Sequence, residues 1–105
     1  MTAAGALDAL GDATRREIVG LLARRPSSVQ ELADRLPVSR PAVSQHLRVL
    51  HAAALVTVAA HGTRRVYRLD PAGAGAVRDY LDRMWDTALD SFEEYVEAST
   101  SKEDR

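Results

Sequence analysis

The apolar residues of the first fifty positions recur at steps of three and four, a spacing that predicts a series of short amphipathic helices. Leu7 and Leu10 anchor a first short helix, which stops at Gly11. Asp12 is placed to cap a second helix, and Pro26 ends that helix within the segment RRPSS. The inner side of the second helix is predicted to consist of Ile18, Leu21 and Leu22.

Two further helices are predicted in close succession. Ser28 and Glu31 have the spacing of a capping box, which opens a third helix. Pro37 and Val38 form a tight turn after it, and Ser39 caps a fourth helix that runs to about residue 53. The residues predicted to face inward are Val29, Leu32, Ala33 and Leu36 on the third helix and Val43, Leu47, Leu50 and Ala54 on the fourth.

After the fourth helix the pattern changes to short β-rich runs. Leu55–Ala60 and Arg64–Asp70 predict two strands, and Gly62 supplies the bend between them. Pro71, Gly73 and Gly75 punctuate the exit from this hairpin.

A last long helix is predicted over residues 74–98, and the final segment STSKEDR is expected to fray. One domain therefore spans residues 1–98, followed by a tail of residues 99–105. Two short helices joined by a tight turn, with a hairpin directly after them, predict a winged helix-turn-helix. The predicted fold class is mainly α with a small β-hairpin, in the order α-α-α-α-β-β-α.

The fourth helix, named here the recognition helix, has a polar side opposite its buried side. Pro41, Gln45 and Arg48 lie on that outer side, with Ser44 on the flank and Arg40 at the helix N-terminus. Arginine pairs well with guanine, and glutamine with adenine, in the DNA major groove. An isolated polar face is more often only solvated, but this one follows a short helix at the spacing of a helix-turn-helix.

The hairpin strengthens this interpretation. Arg64, Arg65 and Arg68 lie near its turn, where a wing would meet phosphates or the minor groove. His61 in the turn could touch phosphate, although an exposed turn residue is the simpler account. For His46, which borders the buried stripe of the recognition helix, packing within the domain is favoured over a base contact.

The distribution of charged residues along the chain indicates an anionic partner for its first part only. Residues 1–70 hold ten Arg and six Asp or Glu, whereas residues 71–105 hold four Lys or Arg and nine Asp or Glu. The 105 residues include no cysteine, which excludes disulfides and thiolate metal sites. We find no spanning segment or secretion signal and expect a cytoplasmic protein.

The segments LGDATRREIVGLL, SVQELADRLPVSRPAVSQHLRVLHAAALV and GTRRVYRLD together resemble the ArsR/SmtB family of bacterial winged-helix regulators. The resemblance covers roughly residues 5–97 in the same order of elements. It implies a homodimer whose first and last helices pair and whose two recognition helices enter successive major grooves. The DNA-binding residues that we predict are Ser39, Arg40, Pro41, Ser44, Gln45, His46, Arg48, Thr63, Arg64 and Arg65.

The resemblance also implies release from DNA by a metal or another inducer. One family site uses a Cys-x-Cys pair on the third helix, where this chain has only Glu31 and Asp34. Another uses Asp and His pairs on the last helix, which has no histidine here. We therefore expect no metal site of these kinds and no cofactor.

The last helix has two contrasting faces. Six acidic residues recur along one face, at positions 79, 82, 86, 90, 93 and 97, and a hard cation there is a minor alternative to a solvated stripe. The opposite face is more apolar than one small core needs, so a dimer interface is favoured over a cofactor site. The predicted interface comprises Leu7, Leu10, Val77, Leu81, Met84, Trp85, Ala88 and Phe92.

These observations predict a sequence-specific DNA-binding transcriptional regulator, acting as a homodimeric repressor on a palindromic operator. A winged helix used only for protein contacts is the alternative from another class, and the alignment of arginines on one surface counts against it. Release by an organic ligand, release by a partner protein and simple autoregulation would each fit. An enzyme is disfavoured, because the chain has no nucleophile-base pair and no phosphate-binding glycine loop.

Overall fold

Five helices and one hairpin follow one another along the chain, and the computed structural model describes them over residues 2–103. The elements are α1 (Ala3–Ala9), α2 (Ala13–Arg24), α3 (Val29–Ala33), α4 (Arg40–Ala52), β1 (Val56–His61), β2 (Arg64–Leu69) and α5 (Pro71–Glu103). This order confirms the predicted fold class, a mainly helical winged helix-turn-helix with a two-stranded antiparallel hairpin.

The predicted starts of α2, α3 and α4 are confirmed by their caps. Asp12 accepts a hydrogen bond from the Arg15 amide at 3.0 Å and opens α2. Ser28 and Glu31 form the reciprocal capping box of α3, with distances of 3.2 and 3.1 Å. Ser39 accepts from the Ala42 amide at 3.3 Å and opens α4. Each cap satisfies an amide that has no partner within its own helix.

Two arginines at the start of α2 donate hydrogen bonds to the carbonyl groups at the end of α1. The Nε of Arg15 donates to the Ala9 carbonyl at 2.6 Å, and Nη1 of Arg16 donates to the Leu10 carbonyl at 2.8 Å. The last carbonyls of a helix lack helical partners and carry partial negative charge, so a guanidinium there is favourable. These two bonds hold α1 and α2 at a fixed corner.

The core lies between the first four helices and the base of the hairpin. Its largest fully buried side chains come from the inward stripes predicted for α2, α3 and α4, together with the first residue of β1; they are Ile18, Leu32, Val43, Leu47, Leu50 and Val56. Leu21, Val29, Ala33 and Leu36 are only half-buried and pack against the edge of this cluster. The inner side of α4 is thereby fixed, which leaves its outer side free to face a partner.

The helix α3 is shorter than predicted and ends at Ala33. Leu36 still packs against the core, because the turn after α3 is held by a bond from the Arg35 amide to the Leu32 carbonyl at 3.1 Å. The connection from α3 to α4 is therefore a longer turn over residues 34–39, not the tight turn at Pro37 and Val38 that was expected.

The hairpin pairs Val56 with Leu69 at its base and His61 with Arg64 at its tip. Gly62 forms the bend with a φ of 65°, a conformation that glycine adopts without steric cost. Ser27, just before α3, adds a short antiparallel bridge to Tyr67, with bonds of 2.8 and 2.9 Å in the two directions. The base of the wing is thus tied to the helix-turn-helix.

The last helix begins earlier than predicted. Pro71 is the first residue of α5, where its missing N–H has no helical partner to lose. Asp70 accepts from the Ala72 amide at 2.9 Å and supports this start. The expected start near Ala74 is therefore three residues late. The helix also continues beyond residue 98 to Glu103, through most of the expected tail, since nothing in STSKE interrupts it.

Among the helices that the structure describes, none combines the length and the apolar character that a membrane span requires.

Candidate nucleic-acid interface

The recognition helix α4 presents one polar side to solvent. Its inward residues Val43, Leu47 and Leu50 are fully buried. On the opposite side Arg40, Pro41, Gln45 and Arg48 are exposed, as is the cap Ser39, while Ser44 on the flank is half-buried. The structure therefore brings most of the residues predicted on this helix onto one accessible surface.

Two of these side chains are joined to each other. Nη1 of Arg48 donates a hydrogen bond to Oε1 of Gln45 at 3.1 Å, and both residues are exposed. The pair is three positions apart, a spacing at which helix side chains are neighbours. The sequence pattern located both residues on one face but did not predict this bond.

His46 lies at the edge of that surface and faces the body. Its Nδ1 is 3.5 Å from Nη1 of Arg15, and the residue is half-buried. A guanidinium has only donors, so Nδ1 is the acceptor in this contact. The position agrees with the favoured packing role, and a base contact by His46 remains a prediction.

The predicted DNA-binding residues of the wing are all exposed, but their side chains have different partners. Thr63, Arg64 and Arg65 are all exposed. Arg64 forms an ion pair with Glu31 and donates to the Ser28 hydroxyl at 3.3 Å, so its guanidinium is engaged with the first turn of α3. No carboxylate in the described part of the chain lies within ion-pairing distance of Arg65.

A basic cleft of about 230 Å³ lies between α4 and the wing. Its rim has Arg48, His51 and Arg65, and its floor includes Leu47 and Tyr67. Sequence reasoning missed His51, although it lies one helical turn beyond Arg48 and its exposure could have been inferred from that spacing. The cleft joins the recognition helix and the wing into one positively charged surface.

Two carboxylates near this surface are held in their ionised form. Bonding from the Ser28 backbone lowers the pKa of Glu31, and the Ser28 hydroxyl and the Arg64 charge add to the effect. A hydrogen bond from the Arg15 backbone amide lowers the pKa of Asp12, and the charge of Arg15 makes a smaller contribution. Glu31 therefore stays charged as the partner of Arg64 at neutral pH.

The predicted dimer residues fall into two groups. Leu7, Leu10 and Val77 are half-buried where α1 packs on the start of α5. The others lie farther along α5 and are exposed; they are Leu81, Met84, Trp85, Ala88 and Phe92. Trp85 and Phe92 are each 63% exposed. The same exposed face includes Tyr80, Leu89 and Val96, which the sequence prediction omitted.

The acidic face of α5 is exposed over the predicted stripe. Within the part of the chain that the structure describes, no three His, Asp or Glu residues form a group that could hold a metal ion.

Similar proteins give the same fold and the same class of function. Residues 12–58 match the arsR family of bacterial regulatory proteins. The HTH-type transcriptional regulator Rv2034 of Mycobacterium tuberculosis is 55% identical over 93 residues, which are 89% of this chain and 87% of Rv2034.

Two solved structures extend the comparison. The ArsR-like transcriptional regulator from Rhodococcus sp. RHA1 has 37% identity and a TM-score of 0.75, with coverage of 88% of this chain and 90% of that one. The homodimeric winged helix-turn-helix DNA-binding domain of Mb0332 from Mycobacterium bovis has 29% identity and a TM-score of 0.63, over 83% and 77% of the two chains. The chain therefore belongs to the ArsR family and is a bacterial transcription regulator, not an enzyme.

Proposed function

We propose that the protein is a homodimeric repressor that binds a palindromic operator through α4 and the wing. The observation that carries this proposal is the single exposed surface formed by Arg40, Gln45 and Arg48 together with the basic cleft beside Arg65. Arginine and glutamine suit base edges, and a basic wing suits phosphates. A regulator of this kind would act on DNA in the cytoplasm.

Dimer formation is supported by the apolar face of α5. Eight large apolar side chains of this helix are between 39% and 70% exposed, from Tyr80 to Val96. A soluble monomer rarely leaves so continuous an apolar stripe in water, and a second copy would cover it. The Mb0332 domain, which is similar in fold, is described as homodimeric.

A two-fold dimer would place two copies of α4 about 34–36 Å apart, one turn of DNA, so the operator should be a palindrome with half-sites at that spacing. Repression follows if the operator overlaps a promoter, since the bound dimer would exclude polymerase. We further propose that release does not use the family's thiolate or histidine metal ligands. The chain has no cysteine, and its three histidines lie in α4 and β1, outside α5.

The test is a footprint on the DNA upstream of the protein's own gene, with and without added metals, for the natural chain and for Arg48→Ala. We expect a protected palindrome, and a loss of about 1–3 kcal/mol in binding free energy for Arg48→Ala, because an exposed arginine on α4 is placed to contact a base. Arg24→Ala is the matched control, because Arg24 is an exposed arginine of α2 that is not among the predicted DNA contacts. Equal affinity of Arg48→Ala and the natural chain would contradict the assigned role.

A further inference from the structure

We propose that Gln45 and Arg48 read two neighbouring base pairs as one unit, so that the operator preferences at those two positions depend on each other. The inference rests on the proposed DNA-binding function of α4. The observation behind it is the hydrogen bond from Nη1 of Arg48 to Oε1 of Gln45 at 3.1 Å. Both backbones are held in place, since Leu47 between them is fully buried.

This bond orients the amide of Gln45. A guanidinium has donors and no acceptor, so the oxygen of the amide faces Arg48 and the NH₂ group faces away. The amide oxygen has a second lone pair, and Arg48 keeps the N–H groups of its other two nitrogens. The pair therefore offers a continuous edge: guanidinium donors, an acceptor oxygen and then an amide donor.

The donors and acceptors along this edge match those of two successive base pairs in the major groove. Glutamine binds adenine through its oxygen and its NH₂ group together, and arginine binds guanine through two donors. The rise between residues three apart on a helix is about 4.5 Å. Neighbouring bases on a strand are roughly 3.4 Å apart. One side chain can thus serve each of two adjacent bases while the bond between them is kept.

The charge around Arg48 favours the same arrangement. Arg65 lies on the rim of the cleft on the wing side of Arg48, so like charges disfavour a guanidinium turned in that direction. No carboxylate in the described residues forms an ion pair with Arg48. The Gln45 oxygen is the acceptor that Arg48 uses. If Gln45 turned its amide around to suit another base, the NH₂ group would face the guanidinium and this bond would be lost.

The test measures relative affinities for all sixteen dinucleotides at the two contacted positions of the operator. We expect the combined penalty of two base changes to differ by about threefold or more from the product of the single penalties, a size typical of side chains that interact directly. Gln45→Ala should relax the preference at both positions and remove this dependence. Arg40→Ala is the matched control, because Arg40 is an exposed arginine on the same helix with no bond to Gln45, and it should leave the dependence intact.

A second variant keeps the side chain at position 45. Gln45→Glu retains an acceptor toward Arg48 but loses the amide donor, and it should shift the preference at its position from adenine toward cytosine. Multiplicative penalties in the natural chain, or relaxation at one position only in Gln45→Ala, would overturn the coupled reading while leaving sequence-specific binding in place. Absence of any sequence preference in the natural chain would instead overturn the proposed function itself.

Discussion

Gly73 shows how one missing side chain positions a whole helix. A Cβ built at this residue would lie 2.2 Å from the carbonyl oxygen of Ala54 and 2.7 Å from its carbonyl carbon. Both atoms belong to the backbone, so neither can move aside cheaply. Ala54 is itself in the left-handed conformation, with a φ of 58°, and turns the chain from α4 into the hairpin. The first turn of α5 can approach this turn only because residue 73 is glycine.

We expect Gly73→Ala to lower the free energy of unfolding by about 1–3 kcal/mol, the usual cost of overpacking a close contact. Gly75→Ala is the matched control, because it lies in the same helix with nothing within 4 Å of the added Cβ. It should leave stability unchanged or raise it by up to about 1 kcal/mol, since alanine is the better helix former. Urea unfolding at one fixed protein concentration measures both. An equal effect of the two substitutions would disprove the role of the close contact.

At the scale of elements, the wing is joined to the helix-turn-helix by more than its own strands. Ser27 bridges to Tyr67 in β2, and Arg64 at the start of β2 pairs with Glu31 in α3. The two neighbouring arginines of the wing therefore differ. Arg64 is engaged with α3, whereas Arg65 lines the cleft that faces the recognition helix. Only the second is placed to meet a phosphate without first breaking an ion pair.

Arg65→Ala should weaken binding to all DNA sequences alike and reduce the slope of log K against log salt by about 1, because one phosphate contact is lost. Arg64→Ala should reduce the slope by less, since its charge is already balanced by Glu31. The measurement is a salt titration of binding to operator and to unrelated DNA for both variants. If Arg64→Ala flattens the slope as much as Arg65→Ala, the ion pair with Glu31 opens on DNA and Arg64 contacts phosphate.

At the scale of the whole molecule, α5 dominates the shape. The molecule measures 74 × 25 × 21 Å, and the 33 residues of α5 correspond to a length of about 50 Å. Only its first turns pack on α1 and the body; from Tyr80 onward almost every residue is exposed. An apolar stripe without cover and an acidic stripe on the other side make this helix the expected place for a second copy.

Trp85→Glu should convert a dimer into a monomer, because it places a charge in the middle of the apolar stripe where the partner helix would pack. Operator binding should fall with it, since two recognition helices are needed for a palindrome. Sedimentation at several concentrations measures the change. Arg83→Glu is the matched control, as it adds negative charge about 160° around the helix from Trp85 and should stay dimeric. A Trp85→Glu variant that remains dimeric would rule out this interface.

Features of the fold that depend only on residues close together in the sequence could be predicted from the sequence alone. The caps at Asp12, Ser28 and Ser39 were predicted and observed, because each depends on an amide only a few positions away. The inward stripe of α4 was predicted for the same reason, since helical periodicity alone sorts its residues by side. The order of elements, the winged helix-turn-helix and the family resemblance all rest on such short-range patterns.

Other features depend on residues that meet only after folding. Gly73 has the local character of a loop residue, yet it lies in the first turn of α5, where it packs closely against the backbone of Ala54. Arg64 was assigned to DNA from its place near a turn, but Ser28 and Glu31, more than thirty positions earlier, engage it in the folded chain. Local sequence specifies which elements form, whereas long-range packing decides where they end and which side chains remain available for a partner.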